Sequence, residues 1–203
     1  MSRYVRLTKE IAIEDILNGN VSYVDAHKSQ ITEWILNPCR ELDSGKGRNT
    51  DYGMAIWVLL LSFFESHGQY LTNVDSNGQS QKIFKVGFDA FKNFLIQKQL
   101  VKQDIQNLDT SKLYEFARSG LFHSAVMYKD FLLDCINYSK NSISKNPIHG
   151  GWLINLWLLT ENLSGYVDFY VEQVKTDEQI KNNFESTFKR LVVEPMKKII
   201  ANL

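Results

Sequence analysis

The chain has 203 residues, 44% of them hydrophobic and 23% charged, which suits one soluble domain with a core of its own. Basic and acidic residues balance at 23 each, so no global field draws the chain to nucleic acid or to an anionic membrane, and such contact must come from a local patch. Cys39 and Cys135 are far apart and form no CxxC or other metal spacing; as two isolated thiols they fit a reducing, cytoplasmic setting, with a single disulfide between them as the open alternative.

Residues 3–17 read as a short strand around Val5 and Leu7, then a short helix carrying Ile11, Ile13, Ile16 and Leu17, closed by Asn18-Gly19-Asn20. A helix follows from Val21 to Leu36, and Pro38 is expected to stop it. Glu41 to Thr50 reads as a polar loop; its Gly45-Lys46-Gly47 lacks the order of a phosphate-binding loop. Met54 to Phe64 is apolar nearly all round and predicts a central helix running to about Ser66. It is too short to span a bilayer, and the N-terminus lacks the apolar stretch of a signal peptide.

Ile83, Val86, Phe88, Phe91, Phe94 and Leu95 predict an amphipathic helix whose outer face carries Lys82, Lys85, Asp89 and Lys92. Asp109-Thr110-Ser111 can cap a helix containing Leu113 and Phe116. Residues 131–138 and 151–156 flank a polar stretch with Pro147, and predict a small β-hairpin. Leu156, Leu159, Leu163, Val167, Tyr170 and Val174 then mark a long helix. A last helix begins near Ile180 and is expected to kink at Pro195.

The histidines His27, His67, His123 and His149 are scattered, with no metal-ligand spacing. His67 falls at the expected end of the central helix, where a cationic side chain suits the dipole. His149 reads as a turn residue. The remaining clue is Leu113-Tyr-Glu-Phe-Ala-Arg118-Ser119-Gly-Leu-Phe-His123, an Arg-x4-His pair. On a regular helix five residues rise about 7.5 Å and turn about 140° beyond a full turn. One such pair does not converge on a small ligand; two copies across a two-fold axis can.

This segment resembles the Arg-x4-6-His motif of HEPN-domain proteins, in the Arg-x-Gly-Leu-x-His form of many bacterial members. The resemblance implies a single domain over residues 1–203: a mainly α, HEPN-like helical bundle with a small β-hairpin, paired as a homodimer. It implies an RNA-cleaving or RNA-binding module in bacterial stress or defence: active relatives are metal-independent endoribonucleases with no cofactor, others only bind, and an antitoxin is one partner such a module can have. His123 would exchange protons with the ribose 2′-hydroxyl or the leaving 5′-oxygen, and Arg118 would hold the scissile phosphate. Ser119 stands where active relatives carry Asn, Asp or His. Glu65, emerging where the central helix ends, would support the site through Arg118.

Two other readings stay open. In one, the chain is a noncatalytic dimeric interaction or structural protein, with Arg118 paired to Glu65 or Glu115 and His123 hydrogen-bonded inside the bundle. In the other, the same Arg and His bind a small nucleotide without cleaving RNA.

Overall fold

The computed structural model describes residues 5–44, 52–116, 130–134, 139–147 and 150–202. The N-terminal segment makes a single bridge, Arg6 to Ala12, before α1 (Ile13–Leu17). The helix α2 (Tyr23–Ile31) starts at Ser22, whose side chain accepts from the Asp25 amide. It does not stop at Pro38. A π-helical turn, Thr32–Leu36, leads directly into α3 (Asn37–Ser44), so Glu41 to Ser44 are helical rather than loop.

The proline explains that turn. Pro38 has no amide hydrogen, and its ring crowds the carbonyl one turn back. Widening the preceding turn, so that the Asn37 amide donates to the Thr32 carbonyl, lets the helix pass the proline. The same device recurs at Pro195. There α8 (Glu178–Phe188) widens into a π turn at Lys189–Val193, and α9 (Glu194–Ala201) continues it. The Glu194 amide donates to the Lys189 carbonyl.

The central helix α4 (Gly53–Thr72) runs further than its apolar stretch suggests and ends at Asn73, in the left-handed conformation. It crosses α5 (Ser80–Gln97) with the backbones nearly in contact. A Cβ added at Gly68 would meet the Ile83 carbonyl oxygen at 2.0 Å, and one at Gly87 would meet that of Phe64 at 2.0 Å. Phe84, Phe88 and Phe91 of α5 pack around Phe64 of α4 and are buried.

The short helix α6 (Thr110–Glu115) is capped by Asp109, whose carboxylate accepts from the Ser111 and Lys112 amides. Leu113 anchors it in the core. Thr110 donates to Asp89 of α5 at 2.7 Å. Asp89 also pairs with Lys85 and with Lys92. Burial alone would raise the Asp89 carboxyl, but these three hydrogen bonds outweigh it and hold the group below its ordinary range.

The β element is a three-stranded sheet in the order β1 (Phe131–Asp134), β3 (Trp152–Asn155), β2 (Ile143–Lys145). The hairpin is formed by β2 and β3, antiparallel, with Ile143 opposite Ile154. The two segments expected to form it pair parallel instead, with Phe131 opposite Trp152. The extra strand β2 lies in the polar stretch between them and lets the chain return in the same direction.

Asn155 closes the sheet and caps α7 (Leu156–Thr176) by accepting from the Leu158 amide. The expected stripe of α7, from Leu156 to Val174, is buried. Two apolar cores result. One joins α4, α5, α6, the sheet and the first half of α7; the other joins the N-terminal segment, α2, the end of α7 and α8. The chain is mainly helical, and no helix among the described residues is long and apolar enough to cross a membrane.

Candidate functional site

The Arg118–Ser119–His123 segment lies outside the described residues, as do Cys135 and His149. Its approach is described. α6 ends at Glu115, two residues from the first undescribed position, and Phe116 packs against Phe131 of the sheet with ring centroids 5.2 Å apart. Gln81 of α5 donates to the Glu115 carboxylate at 3.3 Å. Glu65 sits on α4 and is half-buried. Its expected partner, Arg118, is outside the described residues.

A second constellation lies at the seam of the two cores, and the sequence reading assigned it no function. α4 extends beyond Ser66, so His67 is no helix-end residue. It is 2% exposed, and His27 on α2 is 5% exposed. The His67 ring stacks on Phe63, and its Nε2 hydrogen-bonds the Tyr166 hydroxyl at 2.7 Å. The His27 ring lies against Tyr70, with centroids 4.2 Å apart.

Burial disfavours the charged imidazolium and pulls both rings down to about 3; at His67 the neighbouring His27 adds to the effect. Both are neutral at physiological pH. Burial likewise raises the Tyr70, Tyr166 and Tyr170 phenols, which stay protonated. Neither ring nitrogen of His27, nor Nδ1 of His67, has a hydrogen-bond partner among the described residues.

These rings border a cavity of about 290 Å³. α2 supplies His27 and Ile31, and α4 supplies Phe63, His67 and Tyr70. The other two walls are the π turns: Trp34 and Ile35 from the first, Leu191 and Val192 from the second. Both widened turns therefore face one space. Trp34 is 49% exposed, and with the exposed Ser62 it stands at the rim.

No family model, curated protein or solved structure matches the chain.

Function therefore rests on the residues themselves. Among the described residues no group of three or more His, Cys, Asp or Glu is placed to hold a metal ion. Cys39 is buried and its thiol is pushed up to about 11 by that burial, which makes it a poor nucleophile. The periodicity of the sequence carried a signal for the cavity. Tyr23, His27 and Ile31 are four apart, and Phe63, His67 and Tyr70 are four and three apart, so both histidines fall on apolar helix stripes.

Proposed function

We propose that the chain is a cytoplasmic, HEPN-like helical module that cleaves RNA without a metal ion, through Arg118 and His123. The observation that carries this reading is the segment Leu113 to His123, with its Arg-x4-His spacing and its resemblance to the HEPN motif. The mainly helical fold supports it. So does the fixing of α6 by the Asp109 cap, the buried Leu113 and the Thr110–Asp89 hydrogen bond, which gives the motif a rigid lead-in.

In this reading two protomers bring their Arg118 and His123 pairs together across a two-fold axis. His123 has the side-chain type whose ordinary pKa, about 6.5, allows proton exchange with the 2′-hydroxyl or the leaving 5′-oxygen. Arg118 offers a planar fork of donors to the phosphate and stabilises its added charge. Attack by the 2′-oxygen forms a 2′,3′-cyclic phosphate and releases a 5′-hydroxyl. An antitoxin partner and a role in bacterial stress or defence belong to the same proposal.

Cleavage of a mixed RNA pool in excess chelator tests it. The expected products end in 2′,3′-cyclic phosphate, and substrates with a 2′-deoxy group at the cleaved position stay intact. Activity that vanishes with the chelator, or products ending in a 3′-hydroxyl, would contradict the reading.

A further inference from the structure

The helix α2, the first π turn and α3 follow one another without a break, yet the two ends belong to different cores. Beyond the turn the helix is anchored. Leu36 and Cys39 are buried in the first core, and Arg40 pairs with Glu161 of α7 at 3.1 Å. Before the turn, Ala26 is buried in the second core. A π turn departs from the regular hydrogen-bond ladder, and helices bend at such turns. Thr32–Leu36 therefore stands where this helix can hinge.

The arm before the hinge is held differently from the rest of the second core. α8 is tied to α4 by hydrogen bonds: Asn183 donates to the Leu71 carbonyl at 2.8 Å, and Thr187 to the Asn73 side chain at 3.1 Å. α2 is tied instead to the N-terminal segment, where Ser29 donates to Thr8 at 3.3 Å. Its ion pair to α7, Lys28 with Asp168 at 2.7 Å, joins two solvent-exposed side chains and is weak for that reason. Ring packing presses α2 onto α4 and α8: His27 against Tyr70, Phe184 and Phe188, and Tyr23 against Phe188.

His27 is the member of that packing that can gain a charge. Both its ring nitrogens are buried without a partner among the described residues, so an imidazolium there would leave two N–H donors unpaired. The neighbouring elements bring Tyr70 and His67 from α4, Tyr170 and the surface Asp168 from α7, and two cations from the second π turn. Of these, Arg190 acts on Tyr70 and Lys189 lies over Tyr23. α8 presents the uncharged rings Phe184 and Phe188. No charged neighbour acts on the His27 ring, and burial alone holds it neutral.

We propose that the N-terminal segment and α2 form a flap, hinged at Thr32–Leu36, that lifts from α4 and α8 when His27 is protonated. The sign follows from linkage. The closed flap keeps His27 neutral down to about 3, and a freed imidazole takes up a proton near pH 6.5. The open state then binds more protons, so the opening constant rises as pH falls, by about 25-fold between pH 7 and pH 5.

Hydrogen exchange of the full chain at pH 7 and pH 5, with each rate referred to that of an unstructured peptide, tests this. The amides of α2 from Ala26 to Ile31 should open about 25-fold more at pH 5, and at both pH values more often than those of α8 from Glu185 to Phe188. His27→Phe should hold the α2 opening constant within about twofold between the two pH values. Asp168→Asn, an exposed change, should keep the 25-fold rise, and covers the case in which His27→Phe fails to fold. The proposal is overturned if α2 opens no more at pH 5, if α2 and α8 share one opening constant there, if the rise survives His27→Phe, or if Asp168→Asn abolishes it and so makes the surface ion pair the trigger.

Discussion

His27 and His67 are neutral in the fold because water does not reach them, and this gives stability a pH dependence of known sign. Above pH 6.5 neither the folded nor the unfolded chain protonates these rings. Below it the unfolded imidazoles take up protons, while the folded ones stay neutral down to about 3. The unfolded state then binds more protons, so stability falls as pH drops. Each ring contributes a slope approaching about 1.4 kcal/mol per pH unit. Urea melts between pH 7 and 5, a window above most carboxylate titrations, should show the midpoint falling. The fall should be smaller in His67→Phe if the variant folds. An unchanged slope in that variant would mean that His67 protonates in the fold. The Tyr166 hydroxyl is coupled to the same ring. Tyr166→Phe removes the hydrogen bond at His67 Nε2 and should cost about 1–3 kcal/mol, read from the same melts.

At the scale of elements, the crossing of α4 and α5 is the least tolerant feature. Gly68 and Gly87 face backbone carbonyls, which cannot move aside as the end of a flexible side chain can. Gly87→Ala should separate the helices and lower stability by about 3 kcal/mol, although alanine is the better helix former. A thermal melt within 2 °C of wild type, a margin of about 1 kcal/mol or less, would show that the helices can part freely. Much of this layer was legible in advance. The stripes of α5 and α7 and the Asp109 cap follow from spacing and side-chain chemistry alone, because one face of each helix is buried and the cap needs only local atoms. Other features were not legible, for physical reasons. Pro38 reads as a stop because a regular α-helix cannot accommodate it, and only the π turn shows that this helix is not regular there. His67 reads as a helix end, yet it is buried against Tyr166, and Gly68 beside it is the crossing point with α5. The parallel pairing of β1 with β3 depends on where β2 inserts, which no local pattern of residues 131–156 specifies.

At the scale of the whole molecule, the candidate sites differ in how the sequence reveals them. The Arg118–His123 pair is contiguous, so its spacing can be read directly. The His27–His67 cavity is assembled from three separate stretches of the chain, and only folding brings them together. The central claim concerns the first: Arg118 and His123 act on RNA rather than support the bundle. Cleavage assays paired with thermal melts of the wild type, Arg118→Ala and His123→Ala separate these roles most directly. The account predicts chelator-resistant cleavage by the wild type, a loss of about 10²–10⁴-fold in His123→Ala and a comparable loss in Arg118→Ala, with both variants melting near the wild-type temperature. A wild type inert on diverse RNAs, with both variants melting well below it, would contradict the account and return Arg118 and His123 to a packing role.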